Sequence, residues 1–265
     1  MMRTSPRLMV AGATAALALP ACGSAGSGSA GPSATPDPLS GSITVLAASS
    51  MTSAFNSAEK GLEVDHPGFK ATYSYGGSQA LVTQILSGAP ADVIATANTA
   101  TMAQLTAKNL VQTPVPLCQN KLEIAVAPGN PLGIKTLADL NNPGVKLVIG
   151  DPSVPVGEYV ADIEASDNIT FTPVSLQLSD ASVLEQLESG DANAALVYVT
   201  DVVAAGTKVT GVQIPDAQNK IGTYEIAALS ASSNLPAAEA FVTSAVSGAI
   251  QAELIAAGFL PPPKS

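Results

Sequence analysis

From Ser42 to Ala257, short apolar runs alternate with segments of helical spacing, and this alternation limits the possible folds more than any other feature. Ser42–Ala47 is a short apolar run closed by small polar residues. Met51–Leu62 then places Met51, Phe55, Ala58 and Leu62 on one helical face. Phe69–Tyr75 is strand-like, and Ser78–Leu86 is helical with Leu81, Val82 and Ile85 together. Ala91–Ala97 reads as a buried strand and Thr99–Lys108 as a helix. This βαβα order implies an α/β fold with a mainly parallel sheet covered on both faces.

The alternation restarts after Leu122–Pro128, a strand closed by the turn Gly129-Asn130-Pro131. Thr136–Leu140, Gly157–Ala165 and Ser182–Ser189 are the helices of this stretch. Val145–Gly150, Phe171–Val174, Ala194–Val199, Val209–Ile214 and Thr223–Ala228 are its strands. Pro236–Ala257 carries one or two helices, with proline at the start and Gly258 past the end. Two successive α/β units of about 100 residues suggest two lobes. The expected division is 42–120 with 223–265 for lobe 1 and 121–222 for lobe 2. The crossings, a two-segment hinge, fall near Cys118–Lys121 and Lys220–Thr223.

Residues 1–22 read as a secretory signal: Arg3 and Arg7 precede an apolar stretch, Leu8 to Leu19, too short to span a bilayer. Leu19-Pro20-Ala21-Cys22 resembles a bacterial lipobox, which implies that Cys22 is acylated and anchors the chain on the outer face of the cell membrane. The Gly, Ser, Ala and Pro of residues 23–41 describe a flexible tether. With Cys22 lipidated, Cys118 has no partner and reads as a buried, inert thiol. Two cysteines and one histidine exclude most zinc arrangements. The net charge is −10, and loss of the signal removes Arg3 and Arg7 and no acid, which leaves about −12. Nucleic acid needs a basic surface, so it is excluded as a partner. At 46% hydrophobic but only 4% aromatic, the core must be built from alanine and valine.

Four strand-to-helix turns carry the chemistry. They are Ala48-Ser49-Ser50-Met51-Thr52, Gly76-Gly77-Ser78, Val154-Pro155-Val156-Gly157 and Leu178-Ser179-Asp180-Ala181. Helix N-termini present unpaired N–H groups and the positive end of the helix dipole. Several of them converging on one cleft make an anion site that needs no cationic side chain. On so acidic a chain, that local field must work against the overall one.

Read together, these segments resemble the periplasmic molybdate-binding proteins of ABC importers, within the type II solute-binding fold. The likeness runs from Ser42 to Phe259 through the four turns, Gly88-Ala89-Pro90-Ala91-Asp92-Val93 and Gly190-Asp191-Ala192-Asn193-Ala194-Ala195-Leu196-Val197-Tyr198. The signal and the Ala/Val-rich composition look like an actinobacterial member. The resemblance implies a receptor, not an enzyme, that holds molybdate or tungstate between two lobes and passes it to membrane permease subunits. It implies a monomer without a cofactor. Carried over by position, it puts hydroxyl donors at Ser50, Ser78 and Tyr198 and backbone donors at Val156 and Asp180. These would be the metal-site residues if molybdate is counted as a metal.

The chemistry of this set agrees with the resemblance, since a tetrahedral dianion offers four acceptor oxygens and is matched by hydroxyls, amides and a phenol. Asp180 departs from the family pattern, where an uncharged residue is usual. Either it or Ser179 is expected to cap the helix that begins near Ala181, with only backbone N–H groups facing the ligand; a one-residue shift would move the donor to Ala181. Its other reading is a carboxylate that accepts a proton from an anion such as hydrogen phosphate, so a phosphate or sulfate receptor is the alternative. Gly76-Gly77-Ser78-Gln79-Ala80 partly resembles the turn of a serine hydrolase, but the only histidine, His66, precedes the serine.

Overall fold

A computed structural model describes residues 37–264. The signal, Cys22 and most of the expected tether lie outside the described residues. The tether was expected to reach residue 41, but the chain is packed from Asp37 onward. Asp37 pairs with His66 at 2.8 Å, Leu39 is buried, and the first strand begins at Gly41.

The elements follow in order. β1 (Gly41–Ala48) leads through a 3₁₀ turn into α1 (Thr52–Asp65); then come β2 (Phe69–Gly76), α2 (Ser78–Leu86), β3 (Val93–Thr96) and α3 (Thr99–Thr106). β4 (Val115–Val126) is long. After it come β5 (Leu147–Gly150), α4 (Pro155–Asp167), β6 (Ser175–Gln177), α5 (Asp180–Glu188), β7 (Ala194–Tyr198), α6 (Val199–Ala205) and β8 (Thr210–Gln213). β9 (Ile221–Ala228), α7 (Leu235–Ser247) and α8 (Ala249–Ala256) close the chain.

Helical crossovers return the chain in the same direction, so β1 is parallel to β2 and β3, and β5 to β6 and β7. The strands that join these two groups are antiparallel. β3 pairs with β9, β9 with the first part of β4, and the last part of β4 with β7 and β8. The order is β2-β1-β3-β9-β4-β7-β5-β6, with β8 also on β4. Parallel pairing thus holds within each group and fails where the two halves meet. β4 exchanges partners between Lys121 and Leu122, passing from one half to the other without a break.

Two segments differ from the sequence reading. β4 begins seven residues before Leu122, because Pro116 and the polar pair Gln119-Asn120 hide its first part. The strand expected at Phe171–Val174 lies instead at Ser175–Gln177, a three-residue edge strand; Phe171 packs into the core and Val174 is exposed. Small aliphatic residues do fill most of the core, but the few aromatic ones gather in two places. Phe241 of α7 meets Phe55 of α1 edge to face at 6.1 Å, holding the last helices on the first half. Tyr159, Tyr198, Tyr224 and Phe259 form a second row with successive ring distances of 6.3, 5.9 and 5.3 Å.

Candidate anion-binding site

The turns at the starts of α2, α4 and α5 meet at one small cavity. Gly77, Ser78, Val154, Pro155, Val156, Ser179 and Asp180 line it from these turns, with Ala48 of β1, Ala97 after β3, and Tyr198 at the end of β7. Its walls stand so close that the open space, about 10 Å³, admits about one water molecule. No lysine or histidine borders it, and residues 37–264 contain no arginine.

Each helix start leaves its first amides without an intrahelical partner. No side chain caps α2 or α4. In α5 the Ser179 hydroxyl accepts from Ser182 N–H at 3.1 Å and shares a hydrogen bond with Ser182 Oγ at 2.9 Å, while the amides of Asp180 and Ala181 lie beside the Asp180 carboxyl. Ser78 Oγ accepts from Ala97 N–H at 3.0 Å, so its own proton stays available for donation. Gly157 permits the tight turn into α4, since a Cβ there would lie 2.0 Å from Asp151 O. Gly77 permits a close approach between the two halves: a Cβ would lie 2.2 Å from Leu178 O.

Hydrogen bonds also cross between the halves. Ser49 Oγ donates to Asp180 Oδ1 at 2.5 Å, Tyr159 Oη donates to Ala97 O at 3.1 Å, and Asn98 Nδ2 donates to Glu158 Oε2. Tyr159 is therefore a cross-link between the halves.

Of the five residues singled out by sequence, Ser78, Val156, Asp180 and Tyr198 border the cavity together. Ser50 does not. It is buried with its hydroxyl 3.0 Å from Tyr224 Oη, in a network that continues through Asn120 Nδ2 to Thr200 Oγ1 at 2.9 Å. Its neighbour Ser49 is the hydroxyl that reaches the cavity wall. Of the two candidate caps at the start of α5, Ser179 is the one that caps. Asp180 borders the cavity, and its buried carboxyl accepts from Ser49 of the opposite half.

Three buried side-chain polar atoms among the described residues have no hydrogen-bond partner, and two of them belong to this site: Asp180 Oδ2 and Tyr198 Oη. Burial raises the pKa of Asp180, against the Ser49 hydroxyl, the nearby amides and Asp201. Burial also pushes Asp201 well up, and the charge of Asp180 adds to it. Asp201 lies against both the Asp180 carboxyl and the backbone of Tyr198. Its Oδ2 accepts from Tyr198 N–H at 2.9 Å. Burial, with the neighbouring phenols and both carboxyls, keeps Tyr198 neutral and able to donate. Sequence reading passed over Ser49, Asp201 and Tyr224. Asp201 had a visible signal, as an acid three residues after Tyr198 at the start of a helix that was not expected.

Residues 43–260 match the family described as bacterial extracellular solute-binding protein. The chain is 38% identical to the molybdate-binding protein ModA of Mycobacterium tuberculosis H37Rv, over 89% of this chain and 92% of that one. Among solved structures, the periplasmic molybdate-binding protein of Azotobacter vinelandii superposes with a TM-score of 0.71 at 18% identity, covering 83% of this chain and all of that one. The sulfate-binding protein SubI of M. tuberculosis H37Rv superposes with a TM-score of 0.75 at 20% identity, over 83% and 87%. These two likenesses establish the two-lobed α/β fold and leave the ligand to the site.

Proposed function

We propose, from the premise that the chain belongs to the bacterial extracellular solute-binding proteins, that it captures molybdate between its two halves and delivers it to the permease of an ABC importer. The observation that carries this reading is a cavity walled by hydroxyls and helix-start amides, with no cationic side chain, where two halves of the molecule meet. The Ser78 and Tyr198 hydroxyls and the first amides of α2, α4 and α5 complement an anion that only accepts hydrogen bonds. The absence of a buried ion pair makes release easier, because no opposite charge must be left behind. A tetraoxo anion is bulkier than one water, so the walls must part to admit it and then close to exclude solvent. Ser50 supports the wall from behind through Tyr224, and Ser49 supports it through Asp180. Tungstate, alike in charge and shape, binds at the same site. Acylated Cys22 tethers the receptor, as a monomer, to the membrane.

Relatives named for molybdate support this choice over sulfate, whose receptor shares the fold. One observation favours a second reading: the carboxyl of Asp180 suits an anion that carries its own proton, such as hydrogen phosphate. Calorimetric titration with molybdate, tungstate, sulfate and phosphate separates the two. Binding of molybdate and tungstate with little response to sulfate and phosphate is expected. Binding of phosphate without molybdate would replace the proposed ligand.

A further inference from the structure

We propose that Asp180 belongs to the ligand cage as a carboxylic acid: on anion capture it takes one proton from solvent on Oδ2 and donates that proton to an anion oxygen. This inference rests on the proposed function and adds a proton to the transport complex.

The geometry leaves Asp180 few alternatives. It is the first residue of α5, its side chain is 5% exposed, and it borders the cavity. Ser49, from the opposite half, already donates to Oδ1, while Oδ2 accepts from no hydroxyl or amide side chain and its carboxyl has only that of Asp201 beside it. The titratable groups that face it are Asp201 from α6, Tyr198 from β7 and Tyr224 from β9. None of them is a cation. The three ion pairs among the described residues all lie elsewhere. An ionised carboxylate in this place would repel a dianion with no counter-charge to offset it. Protonation turns that repulsion into an O–H···O⁻ hydrogen bond, one of the strong kinds. Burial pushes the Asp201 titration well up as well, so a proton lent from there would leave a second buried charge. The proton therefore comes from bulk solvent when the anion arrives, and returns there when the anion leaves.

The consequence is a specific linkage. The complex holds one more proton than the free protein and free dianion, so affinity must fall as pH rises above the Asp180 titration, by about tenfold per pH unit. An anion already protonated in solution brings that proton with it and needs none from the buffer. Asp180 therefore sets which protonation state of an oxyanion is favoured.

The test is calorimetric titration of molybdate into the wild-type protein at about pH 8, in two buffers with different ionisation heats. Uptake of close to one proton per anion is expected, together with an affinity that weakens from about pH 7 to 9. In Asp180→Asn the amide can still donate, so proton uptake should vanish and affinity should lose its pH dependence; a thermal melt checks that the variant is folded. The wild-type proton count stands without the variant. Tight molybdate binding with no proton uptake over this range overturns the inference and leaves the proposed function intact. Equal uptake by a folded Asp180→Asn also overturns it, by placing the proton elsewhere. Failure of molybdate to bind the wild-type protein at any pH removes the proposed function, and this inference with it.

Discussion

Tyr198 carries a hydroxyl that is shut away from water and bonds to nothing among the described residues. Leaving a buried donor unsatisfied costs about 1–3 kcal/mol, and a binding site can bear that cost because the ligand repays it. Tyr198→Phe should therefore raise the melting temperature of the unliganded protein by a few degrees, at about 2–4 °C per kcal/mol. The same change should weaken molybdate binding by about 1.5–3 kcal/mol, the worth of a hydrogen bond to a charged group. Melts with and without molybdate measure both effects, and an unchanged affinity would exclude the phenol from the cage. At this scale the sequence was partly legible. Ser78, Val156, Asp180 and Tyr198 do come together, because each stands at a strand-to-helix switch that the apolar pattern already located. The choice between Ser49 and Ser50 was not legible. Adjacent residues in a 3₁₀ turn face different ways, and only the distant Tyr224 and Asp180 decide which hydroxyl goes where. The direction of the Asp180 carboxyl depends in the same way on Ser49 and Asp201, far from it along the chain.

Two glycines show how the turns divide their work between folding and closure. Gly157 lies against Asp151 O within a single strand–turn–helix unit, so a methyl group there strains that unit whatever the rest of the molecule does. Gly77 lies against Leu178 O, which belongs to the opposite half, so its clash is relieved when the halves separate. Overpacking of this kind costs about 1–3 kcal/mol. Gly157→Ala should therefore lower thermal stability, whereas Gly77→Ala should leave it nearly unchanged and weaken molybdate binding tenfold or more. Parallel melts and titrations of the two variants test the distinction; equal loss of stability in both would contradict it. Most elements were readable from sequence because apolar spacing is a local signal; α2 even has the bounds read for it. The failures share one cause. The start of β4, the short edge strand β6 and the helix α6 take their conformation from neighbours distant in sequence: β9 for the first, β5 for the second, and β4 and β7 for the third.

At the scale of the molecule, two parallel strand groups are joined through antiparallel β4 and β9, and the donor turns meet between them. The α/β class and the division into two successive units follow from the order of elements along the chain. The antiparallel joining strands do not, since nothing local tells a crossing strand which direction its neighbours will take. The excess of acidic residues has its own consequence. The whole molecule repels an anion that the local amides attract, so screening by salt should speed molybdate association, whereas it would slow association with a cation-lined cleft. Stopped-flow rates at rising ionic strength test this, and a falling rate would point to a cationic entrance. The central claim is that uncharged groups gathered between two halves hold a dianion without a counter-ion, and a crystal structure with tungstate, located by its anomalous scattering, tests it most directly. The account predicts one heavy-atom peak enclosed by Ser78, Val156, Asp180 and Tyr198. A peak bonded to a lysine, or lying outside the cleft, would contradict it.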